Sequence, residues 1–166
     1  ALIIDDEKEI EDRFYQDLKF GTAGLRGKIG AGTNRMNRYT VSRATEGFAR
    51  MIEEDGEEAK KKGVVISYDV RNRSDEFSRI TAEVFAAHGI KVYLCNEIQP
   101  TPVLSYLVRA LGTYAGVMIT ASHNPQDYNG YKAYGSEGSQ ILDDWAERIM
   151  RNIAEIEDYV EQFARY

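Results

Sequence analysis

The sequence predicts an α/β domain organised around parallel strands. Three observations carry this. Short apolar runs at Val64–Tyr68, Ile90–Leu94 and Ala115–Ile119 alternate with segments of helical spacing. The connections between them are short, and strand–helix–strand units of this kind close as right-handed crossovers with parallel strands. The two intervening helical segments each run into a glycine, Gly89 and Gly112, which is where a helix stops.

The elements follow in order. Asp5–Leu18 carries Ile10, Phe14 and Leu18 at helical spacing on a charged background, predicting a solvated helix. Phe20–Thr33 has glycine at 21, 24, 27, 30 and 32, too many for a regular core element, and predicts a loop that is flexible or wrapped around a phosphate. Tyr39–Ile52 places apolar residues at 41, 44, 48, 51 and 52, an amphipathic helix. Glu53–Gly63 is charged and reads as a loop or frayed helix end. Val64–Tyr68 is the first strand. Ser74 stands where it can cap a helix to about His88, with Phe77, Ile80, Val84 and Ala87 on one face. Ile90–Leu94 is the second strand. Thr101–Leu111 is a helix opened near Pro102, and Val117–Ile119 lies in the third strand. Leu142–Phe163 repeats apolar residues at 142, 145, 149, 153, 156, 160 and 163. That stripe suits a helix packed on the sheet, on a neighbouring domain, or along a coiled-coil seam.

Composition narrows the classes of function. The chain has 166 residues, 43% hydrophobic and 29% charged, enough for one soluble domain with a sizeable core. A net charge of -6 argues against nucleic-acid binding as the main task. Local pairs of cations (Arg26 and Lys28, Arg35 and Arg38, Arg71 and Arg73) keep anionic ligands open. Cys95 is the sole cysteine, so there is no internal disulfide and no cysteine-based metal site, which suits a reducing cytoplasm. No segment is apolar and long enough to span a membrane, and no signal-peptide pattern occurs.

The chemistry concentrates in Thr120-Ala121-Ser122-His123-Asn124-Pro125 and Asn129-Gly130-Tyr131-Lys132. Ser122 follows a buried strand, at the carboxyl end where open sheets of this type hold ligands. Asp69–Arg73 falls at the same edge. A Ser-His hydrolase is weakly supported, because neighbouring residues on extended chain point apart and Gly-x-Ser-x-Gly is missing. His88 closes a helix, where an imidazolium is favoured. Asn129-Gly130 predicts a tight turn folding Lys132 back beside Ser122 for proton transfer, and a snorkelling surface lysine explains it as well. The glycines around Arg26 let backbone N–H groups and a planar fork approach an anion, or form an entry loop. Asp69 and Arg71 are explained equally by a mutual salt bridge.

The segment Thr120–Pro125 resembles the phosphoserine motif of the alpha-D-phosphohexomutase superfamily, which includes phosphoglucomutases and phosphomannomutases. Phe20-Gly21-Thr22-Ala23-Gly24-Leu25-Arg26-Gly27 resembles the N-terminal substrate loop of that superfamily, and Asn129–Lys132 the segment after the phosphoserine. All three agree in order and spacing over nearly the whole chain. Gly32–Asn37 and Tyr128–Tyr134 look most like the phosphoglucomutase and phosphopentomutase branch.

The resemblance implies a three-layer αβα fold with a mostly parallel mixed sheet. It makes residues 1–166 the first domain of a longer four-domain enzyme. It implies interconversion of a sugar 1-phosphate and 6-phosphate, most simply of glucose, through a phosphoserine and a bisphosphorylated intermediate. Phosphomannomutase or phosphopentomutase activity is the near alternative. A serine hydrolase or a non-catalytic phosphosugar-binding module are the distant ones. Ser122 is the implied phosphoserine, Lys132 the proton-transfer residue, and His123 an active-site hydrogen-bonding residue. Arg26, with Thr22 and Asn124, would bind substrate or phosphate, and Asn124 and Pro125 would shape the loop. The implied cofactor is Mg²⁺, taking one phosphate oxygen on Ser122 and its other ligands from a three-aspartate loop outside this chain. A hexose bisphosphate such as glucose 1,6-bisphosphate is the implied activator. The expected partners are a phosphosugar and the remaining domains, with no nucleic acid and no membrane. Alone, the chain is expected to turn over little and to self-associate through surface normally covered by those domains, the Leu142–Phe163 stripe included.

Overall fold

The computed structural model describes residues 6–157. Eleven elements follow one another: α1 (Glu7–Phe14), β1 (Leu25–Lys28), α2 (Arg38–Glu54), α3 (Glu57–Lys62), β2 (Val64–Tyr68), α4 (Ser74–Ala87), β3 (Val92–Leu94), α5 (Thr101–Leu111), β4 (Ala115–Ile119), β5 (Tyr128–Gly135) and α6 (Asp143–Ala154). The strands form one sheet in the order β1-β5-β4-β2-β3. β3, β2 and β4 are parallel neighbours, while β5 runs antiparallel to both β4 and β1. Four strands therefore share a direction and β5 opposes them, which is the mostly parallel mixed sheet expected.

Alternation along the strands sorts two cores. Val64, Ile66, Val117, Ile119, Tyr131 and Ala133 face Val41, Phe48, Ile52, Phe77 and Phe85 of α2 and α4. Val65, Met118 and Tyr134 face Leu104 and Val108 of α5. Helices thus cover both faces. β4 is buried along its whole length, which is why its sequence is continuously apolar rather than alternating.

Four expectations change. β1 lies inside the glycine-rich stretch predicted to be a loop. Leu25 and Gly27 are buried, Arg26 and Lys28 are exposed, and the strand is held by pairing with β5 about a hundred residues on. Asn129-Gly130 forms no turn, because both residues sit within β5 and the reversal occurs earlier. The stretch Glu53–Gly63, read as a loop or frayed helix end, takes in the end of α2 and then a separate helix, α3, between two positive-φ glycines, Gly56 and Gly63. Ser74 occupies the first turn of α4 rather than its cap, and its hydroxyl donates to Asp69 Oδ1 at 3.2 Å. α2 carries a cap not foreseen. The Asn37 side chain accepts from the Tyr39 and Thr40 amides, and Thr40 Oγ1 accepts from the Asn37 amide.

The C-terminal stripe turns inward. α6 lies along α2 so closely that a Cβ on Gly47 would stand 2.5 Å from Ile153 Cγ1. Ile149 and Ile156 are buried, and Trp145 stacks on Tyr114 with ring centroids 5.2 Å apart. Arg148 and Arg151 fasten the pair through Glu54 and Asp55. Trp145, Ile149, Ile153 and Ile156 of the stripe are therefore covered within the domain, whereas Leu142, just before α6, is 75% exposed. Val160 and Phe163 lie outside the described residues.

His88, at the end of α4, ties that helix to α2. Its Nε2 is 2.8 Å from Glu46 Oε2 and its Nδ1 is 3.0 Å from Glu53 Oε1. Only the imidazolium donates from both nitrogens. The Glu46 hydrogen bond outweighs burial, with Glu53 helping, and raises the His88 pKa above its usual 6.5. The charged form is favoured on folding, so its stabilisation is complete below pH 6.5 and is lost as pH climbs through the raised value. Urea unfolding should show stability falling as the pH rises above neutrality. His88→Gln should flatten that slope and cost about 1–3 kcal/mol on its acid side. An unchanged slope would count against the pairing.

Candidate functional site

The site forms where β4 runs out. The Thr120 amide still donates to the Gly130 carbonyl at 3.0 Å, keeping contact with β5. Its hydroxyl donates to Asp69 Oδ2 at 2.5 Å and accepts from the Ser122 amide at 2.9 Å. Ser122 has φ 54°, a left-handed conformation uncommon outside glycine. The Asn124 amide closes the turn onto the Ala121 carbonyl at 3.1 Å, and the Tyr128 amide meets the Pro125 carbonyl at 3.0 Å before β5 begins. Ser122 itself is exposed, as a group that must meet a ligand has to be.

Two cations flank that hydroxyl. Lys132, half-buried on β5, donates from Nζ to Ser122 Oγ at 2.6 Å. Burial lowers its pKa, and the charge of Arg26 lowers it further against the pull of Asp69. Arg26 is exposed on β1 and donates from Nη1 to Asn124 Oδ1 at 3.1 Å. Its position follows from register, since Arg26 pairs with Gly130, two residues from Lys132. A Cβ on Gly130 would lie 2.6 Å from the Thr120 carbonyl oxygen and 3.0 Å from that of Leu25. Only glycine lets β4, β5 and β1 approach this closely.

The structure thus joins four of the residues singled out from the sequence: Ser122, Lys132, Arg26 and Asn124. Thr22 stands exposed at the tip of a two-residue turn closed by Gly21 and Gly24, and it makes no hydrogen bond to that group. His123 is exposed and makes no hydrogen bond to Ser122, so the neighbour that meets the serine is Lys132.

Arg71 does more than pair with Asp69. Its Nε is 3.9 Å from Asp69, a long salt bridge. Its other nitrogens cross to the Ser122 loop. Nη2 donates to the Ser122 and Asn124 carbonyls at 2.6 and 2.7 Å, and Nη1 to those of Pro125 and Tyr128 at 2.9 and 3.1 Å. Asp69 in turn accepts from the Arg71 amide, Ser74 and Thr120. The position of both residues at a strand end was the one hint available. A cleft of about 370 Å³ lined by Asp69, Arg71, Ser122, Asn124 and Gln126 opens here. A larger hollow beside Phe14 and Tyr39 holds none of these groups, and the chemistry locates the site at the smaller one.

Among the described residues no group of three or more His, Cys, Asp or Glu could hold a metal ion. Among them, too, no helix is long and apolar enough to cross a membrane.

Residues 17–160 match the family described as phosphoglucomutase/phosphomannomutase, alpha/beta/alpha domain I. A phosphoglucomutase of Staphylococcus aureus strain RF122 is 47% identical over 150 residues, spanning 90% of this chain and 27% of the relative. That of strain USA300 is 47% identical over 154 residues, with shares of 92% and 27%. Among solved structures, a Thermus thermophilus protein assigned as a phosphomannomutase superposes with a TM-score of 0.76 at 34% identity, over 87% of this chain and 31% of that one. The chain belongs to the phosphoglucomutase/phosphomannomutase family and corresponds to its domain I. It spans about a quarter of the length of the Staphylococcus relatives.

Gly130→Ala tests the close approach of the three strands. The added methyl has only backbone to displace, so the substitution should cost about 1–3 kcal/mol in denaturant unfolding. The Lys132–Ser122 contact should loosen with it.

Proposed function

We propose that this domain carries the phosphoserine of an α-D-phosphohexomutase, which interconverts a sugar 1-phosphate and 6-phosphate, most simply of glucose. One observation carries the reading: Lys132 Nζ lies 2.6 Å from Ser122 Oγ. In the first half-reaction the Oγ–P bond of phosphorylated Ser122 breaks, a P–O bond to a sugar hydroxyl forms, and the hydroxyl proton passes to solvent. Lys132 supplies a proton to the departing serine oxygen. In the second half-reaction Ser122 attacks the other phosphate of the bisphosphorylated sugar, its O–P bond to the sugar breaks, Lys132 takes the serine proton back, and the departing sugar oxygen takes a proton from solvent. A lysine with a lowered pKa exchanges protons more readily than an ordinary surface lysine. Phosphoryl transfer otherwise needs positioning and charge neutralisation, and Arg26 offers a second cation for the roughly -1.5 to -2 charge of a phosphoserine.

The exposed Ser122 hydroxyl, bordered by cations, fits one oxygen ligand of Mg²⁺ through its phosphate, and the other ligands lie in the rest of the enzyme. Bound there, the ion would offset charge on the phosphoryl group. Thr22 and His123, both exposed, would meet substrate directly. A hexose bisphosphate would prime Ser122, and the other domains would complete the sugar site. The domain alone should turn over little, and the cytoplasm is the expected compartment.

Incubating the full-length protein with glucose 1,6-bisphosphate and Mg²⁺ should add the mass of one phosphoryl group, localised to Ser122 and abolished by Ser122→Ala. A stable ester adduct with acylating probes and no phosphoryl uptake would instead mark a hydrolase. Lys132→Arg keeps the charge and cannot lose its proton at working pH. It should slow transfer by about 10²–10⁴-fold, measured by single-turnover quench. Near-normal transfer would remove Lys132 from the proton path.

A further inference from the structure

The Ser122 loop has an unusual internal organisation. Four of its carbonyls, those of Ser122, Asn124, Pro125 and Tyr128, converge on one guanidinium. Arg71 comes from the β2–α4 connection, more than fifty residues away in sequence, and its side chain is only 12% exposed. A planar fork presents several donors in fixed directions, which one ammonium cannot do. Charge-assisted hydrogen bonds of this kind are stronger than neutral ones. The loop they hold contains the left-handed Ser122, a conformation that persists only when its surroundings over-determine it.

The need for such a device follows from register. Lys132 pairs with Met118, four residues before Ser122. Four residues of strand span about 13 Å, more than a lysine side chain reaches. The chain must therefore double back at Ser122 for Oγ to meet Nζ, and Arg71 binds the Ser122 carbonyl at that reversal and those of Asn124, Pro125 and Tyr128 beyond it. Asp69 holds the base of the arrangement, since it accepts from the Arg71 amide and from Thr120, whose hydroxyl orients the Ser122 amide.

We infer that Arg71 is a positioning residue for phosphoryl transfer: its guanidinium clamps the loop at 122–128 so that Ser122 Oγ stays on Lys132. The inference deepens the mutase reading and rests on it for the reaction, though the clamp can be measured separately. Amide hydrogen exchange on the 166-residue chain reads the loop directly, through the hydrogen-bonded amides of Ser122, Asn124 and Tyr128. Arg71→Ala should speed their exchange about tenfold or more while leaving the interior of α2 unchanged. Arg71→Lys, which keeps the charge but loses the fork, should give an intermediate rate, and it decides the matter if Arg71→Ala does not fold. In the full-length protein, Arg71→Ala should lower kcat with little change in KM, and added guanidinium ion should restore part of the loss. Unchanged loop exchange in Arg71→Lys and in a folded Arg71→Ala would overturn the clamp. So would a kcat loss that guanidinium does not relieve. If loop exchange responds as expected but unaltered protein never takes phosphate on Ser122, the clamp stands and the mutase reading falls.

Discussion

The site depends on one antiparallel strand placed inside an otherwise co-directional sheet. In a purely parallel arrangement, the residues beyond β4 would face only the ends of its neighbours. Because β5 returns beside β4, the lysine that follows the serine in sequence comes back underneath it. Because β5 also pairs with β1, an arginine from the start of the chain joins the same edge. Both pairings need the strands to come close at Gly130, where no side chain fits. The register of β5 therefore sets which cations surround Ser122. A slip of one residue would turn Lys132 to the opposite face of the sheet.

Around that frame, charge is arranged in two tiers. Arg26 and Lys132 stand beside the hydroxyl with part of their donor capacity directed at it or at Asn124. Arg71 is spent on backbone carbonyls behind the loop. Asp69 lies among its partners as the balancing anion, bonded to Thr120, Ser74 and the Arg71 amide. Cations in front favour an anionic ligand, while the cation behind holds the shape into which the ligand enters. An acidic protein can present such a patch because binding follows local rather than net charge.

Much of this was readable in the sequence. The strands β2 and β4 and helices α2, α4 and α5 followed from apolar periodicity and glycine stops, whereas Lys132 meets Ser122 through the register of β5 beside β4 rather than through the turn expected at Asn129-Gly130. What escaped has a common cause. β1 has too little side-chain pattern to announce itself, and it exists because a distant partner supplies its hydrogen bonds. Asn129-Gly130 has the composition of a turn, but the glycine is required by crowding between strands. Arg71 looked like half of a local ion pair, because sequence does not say which carbonyls will converge on it. The C-terminal stripe was periodic as expected, yet periodicity does not name the surface it packs on, and α2 proved to be that surface.

The pairing of β1 with β5 also imposes an order of events. Leu25 meets Tyr131, and Arg26 reaches Asn124 across 98 positions of sequence. Contacts this distant close late, after local helices and the β2–β3 and β2–β4 units can already form. On a ribosome, residues 25–28 leave the tunnel long before their partner strand is made. The grouping of Arg26, Lys132 and Ser122 is thus absent from every shorter nascent chain and assembles with the emergence of β5.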